Sequence, residues 1–239
     1  MGAKWGVVVV AAGRGTRMGT KESKQYLRLA DKPILVHTLE LFQSMDEVEQ
    51  IALVVGEADV ERCREWGLQY GITKLVAIAA GGRERQDSVL CGLKQLTTEW
   101  VMIHDGVRPL VTTAEVRGCC AAAENSGAAV LAVPVKDTIK QVSDAGVITA
   151  TPDRRSLWAI QTPQAFRRVL LLEAHELAAA AGFVGTDDAM VVERMGVPVV
   201  VAEGGYTNIK ITTPEDLPYA EFILAQRRTV EEKGRGERG

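Results

Sequence analysis

The sequence has few of the features that would settle its class at a glance. None of its four cysteines, Cys63, Cys91, Cys119 and Cys120, forms a CxxC pair, and their spacing suits no metal site. With no export signal in view, they read as reduced thiols of a cytoplasmic protein, behaving as small buried hydrophobes. No apolar run approaches the ~20 residues that span a bilayer. The stretch 5–13 is far shorter and is followed at once by Arg14, Arg17 and Lys21, which is not a cleavable-signal layout. Charge of one sign is also missing: 28 Lys and Arg stand against 31 Asp and Glu over 239 residues, a formal −3. That balance argues against broad nucleic-acid or anionic-membrane binding, while leaving room for a local cationic pocket. Histidines number only three and form no triad pattern, and no internal repeat is visible.

What is present is a rhythm. Short apolar runs at 6–10, 50–55, 74–79, 100–103, 128–135 and 197–202 alternate with longer amphipathic stretches. The first, Gly6-Val7-Val8-Val9-Val10, runs apolar without alternation, as a strand buried on both faces does. Pro33 suits a first helical position, followed at helical spacing by Ile34, Leu35, Thr38, Leu41 and Phe42. Asp87 or Ser88 is placed to cap a helix carrying Val89, Leu90, Leu93 and Leu96. Phe166, Val169, Leu170, Ala174, Leu177 and Ala178 form a further stripe, stopped near Gly182. Strands alternating with helices imply βαβ crossovers, hence a Rossmann-like α/β fold with a mostly parallel sheet flanked by helices.

Two segments depart from the rhythm. Extended pieces at 138–142 and 147–151 are joined across Ser143-Asp144-Ala145-Gly146, which predicts a β-hairpin. An isolated hairpin is marginal in water and needs a surface to lie against. The last residues lack core formers and read as a disordered tail over 229–239, leaving a single domain over 1–228 with 136–156 as a hairpin arm.

The chemistry gathers after the first strand, in Ala11-Ala12-Gly13-Arg14-Gly15-Thr16-Arg17-Met18-Gly19-Thr20-Lys21-Glu22-Ser23-Lys24. Ligands of open parallel sheets bind beyond the carboxyl ends of strands, which is where this loop falls. Its glycines allow close backbone approach, and four cations in eleven residues point to a polyphosphate. Two familiar phosphate loops do not fit. A dinucleotide fingerprint needs a glycine where Met18 stands, and a P-loop needs a Gly-Lys pair, which the sequence lacks. A second loop, 81–88, again leads from strand to helix; its Ser88 is placed either to cap the helix or to bond a base. A third, His104-Asp105-Gly106-Val107-Arg108-Pro109, presents Asp105 for a metal or a substrate hydroxyl, or for a turn salt bridge with Arg108. Beyond these stand Arg154, Thr162, Thr186 (a candidate helix N-cap) and Lys210 (a candidate solvated strand-end residue).

Taken in order, Ala-Ala-Gly-x-Gly-x-Arg-Met with Lys-Gln-Tyr, Gly-Gly-x-x-Arg-x-Asp-Ser-Val, His-Asp-x-x-Arg-Pro, Asp-Thr-Ile-Lys, Thr-Pro-Gln, Thr-Asp-Asp and Asn-Ile-Lys-Ile-Thr-x-Pro-Glu-Asp-Leu resemble one family. It is the 2-C-methyl-D-erythritol 4-phosphate cytidylyltransferases of non-mevalonate isoprenoid biosynthesis, and the likeness runs over about residues 4–226. The resemblance implies transfer of CMP from CTP to methylerythritol phosphate, with Mg²⁺ carried mainly on the CTP phosphates and Asp105 as a candidate ligand. It implies that Arg17 and Lys24 stabilise the triphosphate and transition state. Ala11, Ala12, Gly13 and Gly15 would hold CTP, with Gly82, Arg83 and Ser88 near cytosine. Asp105, Arg108, Thr162, Thr186 and Lys210 would bind the acceptor. Thr138 and Arg154 would reach from the arm into the neighbouring subunit of a homodimer. Arg83 stands where the family often has an acidic or small polar residue, and Gly106-Val107 replaces a pair of small residues. A pentitol-phosphate cytidylyltransferase, a nicotinamide oxidoreductase and a noncatalytic nucleotide-binding module are the rival readings.

Overall fold

A computed structural model of the chain, describing residues 2–13 and 22–236, places the first apolar run in strand β1 (Trp5–Ala11). A two-residue ladder, β2 (Arg28–Leu29) and β3 (Lys32–Pro33), leads into helix α1 (Ile34–Gln43). Pro33 precedes the first turn as its N-cap, one position before the expected one. Strand β4 (Val48–Val55), helix α2 (Val60–Gln69), strand β5 (Leu75–Ala80), helix α3 (Arg85–Leu93) and strand β6 (Trp100–Asp105) continue the alternation. Then come α4 (Thr113–Ser126), β7 (Ala128–Pro134), the hairpin strands β8 (Gln141–Val142) and β9 (Ile148–Ala150), and β10 (Trp158–Arg167). Helices α5 (Arg168–Ala180) and α6 (Asp188–Glu193), strand β11 (Val200–Glu203) and helix α7 (Asp216–Gly236) complete it.

Seven strands form one sheet in the order β11-β7-β10-β6-β1-β4-β5. All neighbours run parallel except β10, which lies antiparallel between β6 and β7. The alternation of β1 feeds two cores: Val7 and Val9 pack with Leu39, Phe42 and Val116 on one face, and Val8 with Val89, Phe166 and Leu171 on the other. Both faces are covered, which is why these strands read as unbroken apolar runs. A third cluster of Leu29, Ile34, Val107, Leu110, Ile211 and Ile223 packs α7 against β2 and the loops that flank the site. Cys63, Cys119 and Cys120 are buried, and burial pushes the first two thiols up to about 11 and about 12; Cys91 is half-buried.

The structure corrects several expectations. Strand β10 has no counterpart among the expected strands, because it contains Thr162-Pro163-Gln164, and proline within a strand ordinarily argues against one. Its register against β7 shifts between Ile160 and Gln164, so the proline falls in a bulge that leaves the ladder. Phe166 belongs to this strand and not to the helical stripe, and the buried face of α5 is Leu171, Ala174, His175 and Ala178. Val169 and Leu177 point outward, 69% and 53% exposed. The helix α7 runs to Gly236, so residues 229–236 of the expected tail are helical, while 237–239 lie outside the described residues. Glu231, Glu232 and Lys233 are good helix formers, and a helix already nucleated extends through such residues at little cost. The hairpin is present, its turn made by Gly146 at φ +76° and by Ser143 N–H donating to Val147 O at 2.9 Å. Residues 138–151 are exposed throughout.

Candidate active site

Two clefts open at the carboxyl ends of β1 and β6. The first, about 210 Å³, is lined by Ala11, Ala12 and Gly13, by Lys24, and by Gly82, Arg83 and Ser88. The second, about 300 Å³, is lined by Arg108, Gln161, Thr162, Thr186 and Asp187. Arg85, Asp105 and Lys210 line both and form the wall between them. Gly15 and Arg17 lie outside the described residues.

Lys24 is set by its neighbours. It opens a 3₁₀ turn (Lys24–Tyr26) in which Gln25 is buried, its Nε2 donating to Ala11 O at 2.7 Å and Gly13 O at 3.1 Å. Tyr26 is buried edge-on against Trp66, ring centroids 5.7 Å apart, and the Arg62 guanidinium covers both rings. Arg62 also pairs with Glu22. The backbone on either side of Lys24 is thereby anchored to α2 and to the end of β1.

The loop 81–88 is shaped by close packing. A Cβ on Gly81 would sit 2.4 Å from that of Ala12, and one on Gly82 2.2 Å from that of Asp87, distances no side chain tolerates. Helix α3 begins one turn earlier than expected. Glu84 is its N-cap, in a reciprocal capping box with Asp87, so neither Asp87 nor Ser88 is the cap. Ser88 sits inside the first turn, where its Oγ accepts from Gly82 N–H at 3.1 Å and donates to Glu84 O at 3.2 Å. With the helix starting at Arg85, the hydroxyl ties the preceding loop to the helix instead of capping it.

Asp105 is the electrostatic centre. Its Oδ2 lies 2.9 Å from Lys210 Nζ and 3.5 Å from Arg108 Nε, and its Oδ1 3.6 Å from Arg85 Nε. Burial alone would raise this carboxyl; the attraction of Lys210, Arg85 and Arg108 outweighs it and holds the group well below the usual carboxylate range. The turn salt bridge with Arg108 is therefore real, but it is one of three. Lys210 sits on a loop and not at a strand end. That loop is fixed by fully buried Asn208, whose Nδ2 donates to Gln161 Oε1 and Thr162 O, both at 3.0 Å, and by Ile211 N–H donating to Val107 O at 2.9 Å.

Behind Asp105 runs a buried chain of hydrogen bonds. Asp105 N–H donates to Thr162 Oγ1 at 3.1 Å; Thr162 Oγ1 lies 3.0 Å from His104 Nδ1, and His104 Nε2 lies 3.1 Å from Arg108 O. A carbonyl only accepts, so Nε2 carries the proton and Nδ1 accepts from Thr162. Burial pushes His104 down to about 4, keeping the ring neutral for this arrangement.

Comparison with known proteins adds the family. The model of 2-C-methyl-D-erythritol 4-phosphate cytidylyltransferase matches residues 6–226. The chain belongs to that family. A relative of that name from Geotalea uraniireducens is 50% identical over 222 residues, covering 91% of this chain and 95% of the relative. One from Geobacillus kaustophilus is 49% identical over 221 residues, 92% and 96% of the two chains. The solved 4-diphosphocytidyl-2C-methyl-D-erythritol synthase of Anaerococcus prevotii superposes with a TM-score of 0.82 at 30% identity, covering 93% of this chain and 99% of that one. The 2-C-methyl-D-erythritol 4-phosphate cytidylyltransferase of Thermus thermophilus gives 0.76 at 31% identity, over 93% and 98%.

Within this family member, the structure gathers Ala11, Ala12, Gly13, Lys24, Gly82, Arg83 and Ser88 around one cleft, and Arg108, Thr162 and Thr186 around the other. Thr186 is exposed and is not the N-cap of α6; Asp187 is, accepting from Met190 N–H at 2.9 Å. Aspartate reaches that amide with either oxygen and also holds Gln164 Nε2 at 2.8 Å, which fixes it as the cap. Thr138 and Arg154 line neither cleft; Arg154 is exposed, its Nη1 donating to Lys136 O at 2.6 Å. Residues that the sequence left without a role are Arg85, Gln25, Gln161 and Asn208. Arg85, Gln25 and Asn208 stood inside recognised motifs, but a single motif does not say which of its members turn inward. Among the described residues no group of three His, Cys, Asp or Glu could hold a metal, and both Asp105 oxygens already face cations, so its side chain does not fit as a metal ligand. No helix among the described residues is long and apolar enough to cross a membrane.

Proposed function

We propose that the protein transfers CMP from CTP to 2-C-methyl-D-erythritol 4-phosphate, releasing pyrophosphate, as an enzyme of isoprenoid precursor biosynthesis in the cytoplasm. The observation that carries this reading is the pair of clefts divided by Lys210, Asp105 and Arg85. One cleft has the close-packed glycine loops that a nucleotide needs; the other is smaller in apolar character and rich in Arg, Thr and Asp, as a phosphorylated polyol needs. In the reaction, a phosphate oxygen of the acceptor attacks the α-phosphorus of CTP, and the bond to the bridging oxygen of the leaving pyrophosphate breaks. A phosphate monoester has a second pKa of about 6, so the attacking oxygen is already ionised at neutral pH and needs no general base.

The protein's task is then to bring two anions together and to neutralise the charge that builds on the leaving group. Lys24 faces the nucleotide cleft and Lys210 the border between the clefts, suited to the triphosphate and to the transferring group respectively. Arg17 belongs to this proposal on its motif alone, and Mg²⁺ enters it as an ion carried by the CTP phosphates. Ser88 bears on base choice. Its hydrogen is committed to Glu84 O, so the oxygen has an acceptor lone pair left for cytosine's amine and nothing to offer uracil's carbonyl. Arg154 and Thr138 serve, on this reading, the site of a second subunit, to which the exposed arm would carry them.

The deciding experiment measures pyrophosphate release from CTP and Mg²⁺ with methylerythritol phosphate and with ribitol 5-phosphate in parallel. Faster turnover of methylerythritol phosphate, and of CTP over UTP, is the expected result. Preference for ribitol 5-phosphate would move the protein to the pentitol-phosphate cytidylyltransferases, and equal rates with UTP would remove Ser88 from base selection.

A further inference from the structure

The three cations around Asp105 are not equivalent. Lys210 carries its charge at the end of a flexible stem, and its side chain is 39% exposed. Arg85 is tied from behind: its Nη1 donates to Asp188 Oδ2 at 2.8 Å while its Nε faces Asp105 Oδ1 at 3.6 Å. Asp188 is itself fixed. Its side chain is 1% exposed, its Oδ1 meets the buried His175 Nε2 at 3.2 Å, and its backbone N–H donates to Gln164 Oε1 at 3.1 Å. Gln86, the next residue in α3, secures the same segment from the other side, accepting from Gly185 N–H at 2.9 Å and donating to Phe183 O at 3.1 Å. Arg85 therefore spans two carboxylates on different elements, and neither end is free to swing.

We propose that Arg85 is a positioning residue, the fixed counter-charge of Asp105, which lets Lys210 leave that carboxylate for a phosphate bound in the clefts. The proposal rests on the two-cleft reading above. A carboxylate with only 10% of its side chain exposed is poorly served by water. Lys210 is its nearest partner at 2.9 Å, so a phosphate that recruits Lys210 leaves the buried charge to Arg108 on the same oxygen and to Arg85 on the other. With Arg85 held in place by Asp188, Asp105 stays neutralised when Lys210 turns away, and the incoming phosphate competes for Lys210 on better terms. The guanidinium is needed for its shape as well as its charge. A planar fork bonds one carboxylate and faces a second along another edge, whereas an ammonium is a point charge that serves one at a time.

The test is a double-mutant cycle of Arg85→Lys with Asp105→Asn in the full chain, read as KM for methylerythritol phosphate, KM for CTP and kcat. Arg85→Lys keeps a charge beside Asp188 but cannot reach both carboxylates. The acceptor KM should rise about 10- to 100-fold, the scale of losing one close charge pair in a site shielded from water. In the Asp105→Asn background the same change should cost less than about threefold, because a neutral amide needs no counter-charge. An unchanged acceptor KM, or an equal loss in both backgrounds, would overturn the proposal, since a merely structural role is blind to what stands at position 105. Should Arg85→Lys not fold, the paired change Arg85→Gln with Asp188→Asn removes both buried charges at once and is run through the same cycle. Wild-type turnover judges the proposed acceptor separately. If it is absent, the cycle is read as inorganic phosphate affinity by calorimetry, with the same pattern expected and the same pattern overturning it.

Discussion

The cluster at the carboxyl end of β6 and the hairpin arm are opposite in circumstance. In the first, Asp105, Arg108, His104 and Thr162 are all buried or nearly so, and each finds its partners within the chain. In the second, Ile139, Val142, Val147 and Ile148 are 39–62% exposed, with Trp158 and Ile160 beside them at 39% and 42%. A two-strand hairpin with its apolar residues in water is marginal by itself. The body supplies its own order, whereas the arm's apolar side chains find little cover among the described residues. Charge chemistry done in the body should therefore be sensitive to single atoms there, and the arm's contribution should be sensitive to what it touches.

The sharpest way to probe the body is Lys24→Ala, expected to lower kcat by about 10²–10³, as loss of one oriented transition-state donor does. Its neighbours Gln25 and Tyr26 are buried and keep the backbone in place, so stability should change little. Near-normal turnover at saturating CTP would show that the nucleotide cleft neutralises its ligand without this lysine.

Acid tests the body in a different way. His104 is neutral when folded because burial takes it down to about 4, against an ordinary value of about 6.5 in the unfolded chain. A group whose folded pKa lies below its unfolded one binds more protons when unfolded across that interval. Stability should therefore fall as pH drops from about 6.5 toward 4, by about 2 kcal/mol between pH 7 and pH 5 from this residue alone. The check is urea unfolding at both pH values, at fixed protein concentration, for the wild type and His104→Gln. Glutamine retains a donor and an acceptor but does not titrate, so its stability should depend less on pH by that amount. Identical slopes would mean that the ring does not remain neutral in the folded loop.

Much of the body was legible in advance, for a physical reason. Strands buried on both faces must be apolar throughout, so β1, β4, β6 and β7 announced themselves within a few residues of their observed bounds; the more exposed edge strands β5 and β11 did so through their short apolar runs alone. Strand β10 did not, because the polar Gln161, Thr162 and Gln164 that line the second cleft interrupt its pattern. The same holds for the site. Loops with cations after strands were visible as sequence, and so was the order of the motifs. The division of labour around Asp105 was not, since Arg85, Arg108 and Lys210 come from three distant segments whose meeting depends on tertiary packing.

The arm is where the comparison can be broken outright. If it crosses to a two-fold partner, Arg154 belongs to the other subunit's site, and complementation will reveal it. One chain carries Lys24→Ala and another Arg154→Ala, each expected to be inactive as its own homodimer. In a mixed dimer with crossed arms, one site combines both defects and the other combines neither. Equal random mixing makes about half of the dimers mixed, so about a quarter of wild-type activity should return. Mass spectrometry of differently tagged chains establishes beforehand that subunits have exchanged. If Arg154 serves its own subunit instead, every site keeps one defect and mixing restores nothing. A third chain with Val142→Asp and Ile148→Asp separates contact from chemistry. These two side chains are 55% and 59% exposed and touch neither cleft, so the body should fold as before. A charge placed in an apolar interface is costly, so the double variant should shift toward monomer in sedimentation and lose activity with it. Monomers that stay fully active would place the whole site in one chain and leave the arm without a part in it.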